Sequence, residues 1–188
     1  MPLPGANTRL WIVTSTAALF AGVAWFVKDI GGRVSPDPDY WDCNSSYDYV
    51  LNGVDTVAFL TLGLTVVGLA ELCRSEIGGR YALIGSLAAA GFAAAGLANL
   101  FEHCAGLDAL GFVHVVGLML GMLLLARFVL ALGSATIASW VVWLLLFGTG
   151  TALLFANQGG LVAFGGAWFV FGVVLLQRSN ESSARTRR

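Results

Sequence analysis

The sequence predicts an all-α integral membrane protein, a single membrane domain built as a bundle of six transmembrane helices. Of the 188 residues, 57% are hydrophobic and only 11% are charged, whereas roughly a quarter are charged in a typical soluble domain. So few charges cannot cover a soluble fold of this hydrophobicity, and disorder requires the opposite composition. The net charge of -1 argues against a nucleic-acid partner. The expected surroundings are therefore the lipid bilayer.

The first three predicted spans are apolar runs of the length that crosses ~30 Å of hydrocarbon, about 20 residues each. The first, about Leu10–Val27, contains no charge, and its 18 residues exceed a signal-peptide apolar region, which favours a retained helix. The second, about Val50–Cys73, has its charges near its ends. The third, about Tyr81–Leu100, contains eight Ala and three Gly. Because small residues let membrane helices approach closely, the third span is expected at the centre of the bundle.

The remaining three spans form a helix and a hairpin. The fourth, about Leu110–Leu132, has Arg127 near one end. The fifth, about Ile137–Ala156, and the sixth, about Leu161–Gln177, would be far too long as one crossing. Asn157-Gln158-Gly159-Gly160 lies between them and is typical of a tight polar turn. Gly117 and Gly121 on the fourth span, and Gly148 and Ala152 on the fifth, are expected to face the small residues of the third span. Such faces indicate either close helix packing or a groove for a lipid or quinone tail.

The basic residues predict the orientation. With six spans both termini lie on one side, which holds eight of the ten basic residues, and the other side holds Lys28 and Arg33. The positive-inside rule places the termini in the cytoplasm of a cell-membrane protein. The long outer loop then covers residues 28–49, and residues 178–188 form a basic cytoplasmic tail. The inner basic residues are Arg9, Arg74, Arg80, Arg127, Arg178, Arg185, Arg187 and Arg188.

Two of the three cysteines fall on the outer side. Cys43 lies in the outer loop and Cys104 in the turn between the third and fourth spans, while Cys73 lies at the cytoplasmic end of the second. Outer thiols face an oxidising compartment in which disulfides persist, so Cys43 and Cys104 are candidates for a disulfide. Their distance is open at this point. Cys73 is expected to be a buried, inert thiol, and the lack of a Cys-x-x-Cys pair argues against a thiol relay.

Polar side chains enter the bilayer at the outer ends of the predicted helices. Ionisable groups inside a membrane are costly and mark candidate functional sites. On the third span, Asn99, Glu102 and His103 stand at i, i+3 and i+4, which places them on one helix face. If the inward faces meet, they form a polar pocket that opens outward. The candidate pocket residues are Asp55, Asn99, Glu102, His103, His114 and Asn157.

Several uses of such a pocket stay open. Imidazole and carboxylate groups suit Zn, Cu or Fe, which makes Glu102, His103 and His114 candidate metal ligands. The two histidines are also candidate axial ligands of haem, and Asp55 or Glu102 could couple binding to a proton. Against these stands the interpretation that the groups cap helix ends at the wet headgroup level. The cofactor itself cannot be read from the sequence.

Three function classes follow. The leading hypothesis is a structural or accessory subunit of a membrane assembly, with other membrane subunits or further copies of the chain as partners. The second is an oligomeric transporter or channel-like protein that uses the outer pocket. The third is a metal-, haem- or quinone-binding membrane protein that uses His103 and His114. A phosphate-binding glycine loop and a Gly-x-Ser-x-Gly motif are both absent from the sequence, which makes an enzyme the less favoured interpretation.

Overall fold

Seven α-helices account for nearly all of the part of the chain that the structure describes. The structure is a computed structural model that describes residues 8–35, 43–133, 135, 139–155 and 160–185. A 3₁₀ turn, Asp108–Leu110, precedes the fifth helix. The helices are α1 Thr8–Val34, α2 Ser46–Leu72, α3 Arg74–Ile77, α4 Gly79–Ala105, α5 Gly111–Leu132, α6 Ser139–Phe155 and α7 Gly160–Arg185.

The protein is a transmembrane helical bundle. Within the described residues, five helices are long and apolar enough to cross a membrane, namely those containing 9–34, 46–72, 79–105, 108–132 and 160–178. These five correspond to predicted spans one to four and six. The fifth predicted span coincides with α6, whose apolar stretch Trp140–Leu154 covers only about 22 Å at 1.5 Å per residue. The predicted turn at residues 157–160 lies outside the described residues, except for Gly160, the first residue of α7.

The predicted bounds of the outer loop are wrong. The outer loop was expected at residues 28–49, but α1 continues to Val34 and α2 begins at Ser46. Lys28, Asp29 and Arg33 therefore lie on the last turns of α1, where Arg33 pairs with Asp29 at 3.5 Å in an i, i+4 arrangement. Such pairs support a helix beyond its apolar run. Within the predicted basic tail, α7 continues to Arg185.

Each long helix packs against its neighbours in the sequence, and α1 packs against α7. The order around the bundle is α1, α2, α4, α5, α6 and α7. The α1–α7 interface is the most extensive, and the α5–α6 interface is the least extensive of the long-helix contacts in this order. The first and last long helices therefore close the bundle.

The interior is filled by aromatic side chains. Trp25 of α1 stacks edge-on against Phe59 of α2, with ring centroids 4.9 Å apart, and against Phe164 of α7 at 5.6 Å. Phe59 in turn stacks on Phe92 of α4 at 6.3 Å. All four rings are buried, so they form the contact through which four different helices share one core.

The expectation that the third span is the central helix is wrong. In the apolar segment of α2, 61% of residues are buried, against 44% in α4 and 44% in α7. α4 lies between α2 and α5, and its leucines Leu83, Leu87 and Leu97 are exposed on the bundle surface. Small residues allow α4 to approach α2 and α5 closely. Close approach to two helices does not require that α4 be surrounded by helices on all sides.

The small residues do mark close backbone contacts. A Cβ added at Gly91 of α4 would lie 2.9 Å from the carbonyl oxygen of Gly117 in α5. A Cβ at Gly22 of α1 would lie 2.7 Å from the carbonyl oxygen of Gly165 in α7. Gly148 of α6 faces α7 rather than α4. The expected match between α4 and α5 is therefore confirmed, and the expected match between α4 and α6 is not.

Overpacking at the α4–α5 contact is expected to destabilise the bundle. Gly91→Leu would place a side chain against the α5 backbone, and Ala95→Leu would enlarge a fully buried residue. Changes of this kind cost about 1–3 kcal/mol, so we expect both variants to lower the thermal midpoint in detergent. The matched control is Val170→Leu, at a position of α7 that is 38% exposed. Equal midpoints for all three variants would contradict the close α4–α5 contact.

Candidate functional site

The polar side chains predicted to form a pocket gather at one end of the bundle, which we call the disulfide end. Here α1 ends, α2 begins, α4 ends and α5 begins. The hydroxyl of Tyr47, on the first turn of α2, donates to the carbonyl of Gly31 on the last turns of α1 at 2.8 Å. Asn157 lies outside the described residues, and the other predicted pocket residues all lie at this end.

Cys43 and Cys104 form a disulfide at this end. Their Cα atoms are 5.1 Å apart, and 61 positions separate them in the sequence. Cys43 is buried and precedes α2, and Cys104 is partly exposed in the last turn of α4. The sequence left open whether these two cysteines pair, and in the structure they do. The disulfide joins the segment before α2 to the end of α4.

The start of α2 is fixed by its own polar side chains. Ser45 is the N-cap, and its hydroxyl accepts from the backbone N–H of Asp48 at 3.2 Å. The Asp48 carboxylate accepts in return from the backbone N–H of Ser45 at 2.8 Å, which completes a capping box. One turn further on, Asn52 donates to the sulfur of Cys43 at 3.4 Å. The cap, the disulfide and α2 are therefore one connected unit.

A second link joins α2 to α4 below the disulfide. Asn99 of α4 donates to the side-chain oxygen of Asn52 at 3.3 Å, and both side chains are buried. One turn deeper, the hydroxyl of Thr56 donates to the carbonyl of Gly96 at 3.1 Å. Buried polar groups need such partners because an unsatisfied one costs about 1–3 kcal/mol. Asn99 therefore serves helix packing here.

Asp55 pairs with Lys28 instead of joining the histidines. The ammonium of Lys28 lies 3.4 Å from the Asp55 carboxylate, and the side chains are 12% and 2% exposed. Lys28 also lies 5.7 Å from the centre of the Trp25 ring. The sequence interpretation missed Lys28 because it placed this residue in a loop. The signal was available, since Ala18, Ala21, Trp25 and Lys28 follow one face of a helix.

Glu102, His103 and His114 are brought together by α4 and α5. The same Glu102 oxygen lies 3.4 Å from Nδ1 of His114 and 3.8 Å from Nε2 of His103. The imidazole rings meet edge to face with centroids 6.3 Å apart. One potential ligand atom from each residue lies within 4.8 Å of the others. The three side chains are about one-fifth exposed, at 22%, 21% and 17%, so water and small ions can reach them.

Local features of the connection bring the three residues together. α4 ends at Ala105, its C-cap Gly106 has a left-handed φ of 66° that closes the helix, and a 3₁₀ turn leads into α5. The Glu102 carboxylate lies against Gly111, the first residue of α5. A Cβ at position 111 would collide with Glu102 Oε1, so glycine leaves room for the carboxylate. A carboxylate is stabilised at a helix N-terminus by the helix dipole. Across the bundle, Phe59 of α2 packs edge-on against the His114 ring at 6.3 Å.

This donor set can bind a transition-metal ion. Two imidazoles and one carboxylate are the ligands of catalytic-type zinc sites, with metal–ligand distances of about 2.0–2.2 Å, and they also suit copper and iron. Ligand atoms in a tetrahedral site of that size lie about 3.3 Å apart. Side-chain adjustment of about 1.5 Å would therefore bring the three groups onto one ion and leave a fourth position open.

Comparisons with known protein families, curated proteins and solved structures find no match to this chain.

The disulfide is expected to be detectable directly. Peptide mapping of unreduced protein should recover Cys43 and Cys104 in one linked fragment. Closing a loop of 61 residues stabilises the folded state by about 4 kcal/mol at most in a chain-entropy treatment, so Cys43→Ser/Cys104→Ser should unfold at a lower temperature.

Cys73 is the internal control for this mapping. It is a free buried thiol, and burial, with a contribution from Glu76 that exceeds the opposing effect of Arg178, raises its pKa to about 12. It should therefore resist alkylation in the folded protein and react after denaturation. Alkylation of Cys43 and Cys104 in unreduced protein from an oxidising compartment would contradict the pairing.

Proposed function

We propose that this protein is a multi-pass membrane protein that binds a divalent transition-metal ion through Glu102, His103 and His114. The observation that carries the proposal is that ligand atoms of all three residues lie within 4.8 Å of one another. They come from two helices and converge at a partly exposed position. A bound ion would replace the contacts that Glu102 now makes with the two imidazoles and would neutralise its charge.

The geometry favours a metal ion over haem. A haem held by two histidines needs a slot between the imidazole rings that admits the porphyrin. Here one Glu102 oxygen lies within 4 Å of a nitrogen on each ring, so a carboxylate occupies the space that a porphyrin would need. The same carboxylate is a suitable third ligand for zinc, copper or iron.

A quinone is also a weaker candidate ligand than a metal ion. An apolar groove of about 430 Å³ lies between α1 and α2. Its lining is entirely apolar, which suits a hydrocarbon chain and offers no side-chain hydrogen-bond donor to a quinone head group. The lining residues are Phe20, Val23, Ala24, Val27, Val50, Gly53, Val54 and Val57.

The topology belongs to the same proposal. We infer six crossings, with α6 as the fifth, in the cell membrane and with both termini in the cytoplasm. The support is the charge distribution, since eight of ten basic residues then fall on the cytoplasmic side. The disulfide end then faces the oxidising compartment, where a disulfide persists and where the metal ion would enter.

An accessory role in a membrane assembly is compatible with this metal site. The exposed aromatic side chains Trp140, Trp143 and Phe147 of α6 lie on a face that lipid, another subunit or a second copy can cover. A transport role has less support. Below the disulfide end, the rings of Trp25, Phe59 and Phe164 fill the described interior, where a polar path through one copy would have to pass.

Metal binding is expected to depend on all three residues. Purified, untagged, oxidised protein should bind one Zn²⁺ per chain in a competition titration against a chromogenic chelator. His103→Ala, His114→Ala and Glu102→Gln should each weaken binding by more than about 100-fold, because loss of a ligand exceeds the 10–100-fold effect of outer-shell partners. Binding should also weaken in acid, since imidazole coordinates only when neutral.

Asp108→Asn is the matched control for metal binding. Asp108 is an exposed carboxylate on the 3₁₀ turn between the two ligand-bearing helices, and the metal-ligand cluster does not include it. Its variant should bind Zn²⁺ as the wild type does. The metal-binding proposal fails if the wild type does not bind Zn²⁺, or if the three ligand variants bind it as tightly as Asp108→Asn.

The orientation is expected to appear in labelling of intact cells. Ser35→Cys should react with a membrane-impermeant maleimide, and Ser182→Cys should be protected until the cells are opened. The native cysteines should give little background, because two are paired and Cys73 is buried. Reaction at residue 182 in intact cells would show that the proposed orientation is wrong.

A further inference from the structure

We propose that the Cys43–Cys104 disulfide controls the metal site, so that the closed disulfide holds the three ligands together and its reduction by a dithiol releases the ion. This inference rests on the metal-binding function proposed above. It goes beyond that function because it assigns a regulatory role to a covalent bond that does not itself contact the ion.

The two ligands on α4 lie between two of its attachments to α2. Asn99 is the inner attachment, through its buried hydrogen bond to Asn52. Cys104 is the outer attachment, through the disulfide. Glu102 and His103 occupy positions between them, in the last turns of α4. Both ligands are therefore held in position relative to α2 by an attachment before them and an attachment after them along α4.

The third ligand is positioned against the same helix. His114 of α5 packs edge-on against Phe59 of α2, with ring centroids 6.3 Å apart. α2 thus provides a common frame for the α4 ligands and for the α5 ligand. Loss of the attachment of α4 to α2 would therefore allow the distances between His114 and the other two residues to change.

Opening the disulfide removes the outer attachment. The last turn of α4 would keep its helical hydrogen bonds, its contacts with α5 and its C-terminal cap, in which Gly106 N–H donates to the carbonyl of Phe101, but it would lose its covalent link to the segment before α2. Helix ends are among the segments of a protein that open locally at the lowest cost. Glu102 and His103 would lose their fixed register against His114, and three ligands that no longer converge bind a metal ion weakly.

The exchange reaction has a preferred direction of attack. Cys104 is the more exposed of the two residues, so the thiolate of a dithiol forms a mixed disulfide with its sulfur and the bond to Cys43 breaks. Cys43 leaves as a thiolate beside the Asn52 amide, which donates to this sulfur at 3.4 Å. The second thiol of the dithiol then displaces Cys104. Overall, two electrons and two protons pass from the dithiol to the protein, and the dithiol becomes a cyclic disulfide.

The experiment compares Zn²⁺ affinity in three forms of the full-length protein in detergent. These are oxidised wild type, wild type reduced with dithiothreitol and freed of it under argon, and Cys43→Ser/Cys104→Ser. We expect the two forms without the disulfide to bind Zn²⁺ at least tenfold more weakly, within the 10–100-fold range typical of outer-shell changes. Air oxidation of the reduced wild type should restore its affinity. Cys73→Ala, which removes the buried thiol outside the disulfide, should bind as the oxidised wild type does.

The outcomes separate this inference from the function on which it rests. If oxidised wild type does not bind Zn²⁺, the metal-binding function fails and the inference fails with it. If all three forms bind equally, the function stands and the inference is overturned. If the serine variant does not fold, the Zn²⁺ affinity of the reduced wild type, compared with that of the oxidised wild type, tests the inference. Loss of helicity on reduction would also overturn the proposal, because it requires local loosening of α4 within an intact bundle.

Discussion

The attachment of α4 to α2 at the disulfide end is the constraint on which the arrangement of the polar residues depends. A disulfide and a buried Asn99–Asn52 hydrogen bond hold the two helices together, about one and a half turns of α4 apart. The capping box at Ser45 and Asp48 fixes the start of α2, and Asn52 connects that start to the Cys43 sulfur. Because these links share residues, α4 has one register against α2 at this end, and Glu102 and His103 have one position.

A buried ion pair fixes α1 in the same region. Lys28 and Asp55 neutralise each other where neither is well exposed to water, and removing one partner of such a pair typically costs about 3–5 kcal/mol. The pair accounts for the charge of Lys28 directly after the apolar run of α1. It also separates the polar residues of this end into two groups with different roles. Asp55 holds α1 against α2, and Glu102 remains available to the histidines.

Two kinds of apolar contact hold the rest of the bundle. Close approaches at Gly22 and Gly91 bring α1 to α7 and α4 to α5, where lipid tails offer no hydrophobic gain and packing supplies the attraction. Large rings fill the middle, with Trp25 in contact with both Phe59 and Phe164. The ring of Phe59 connects this core to the site, because it also packs against His114. The histidine and glutamate cluster therefore lies directly against the packed aromatic core.

The apolar runs and the positions of the polar residues were enough to predict a helical membrane protein whose polar side chains gather at one end. Apolar runs of sufficient length give the helices, and alternation of their direction brings Cys43, Cys104, Glu102, His103 and His114 to the same side. The packing of the helices against one another was needed to show that Lys28 is the partner of Asp55, that Glu102 lies between the histidines, and that α2 is more buried than α4. The reason is that a membrane helix is apolar on its lipid face and on its packed face alike. Its sequence therefore carries little signal for the rotation about its own axis that selects each side chain's neighbour.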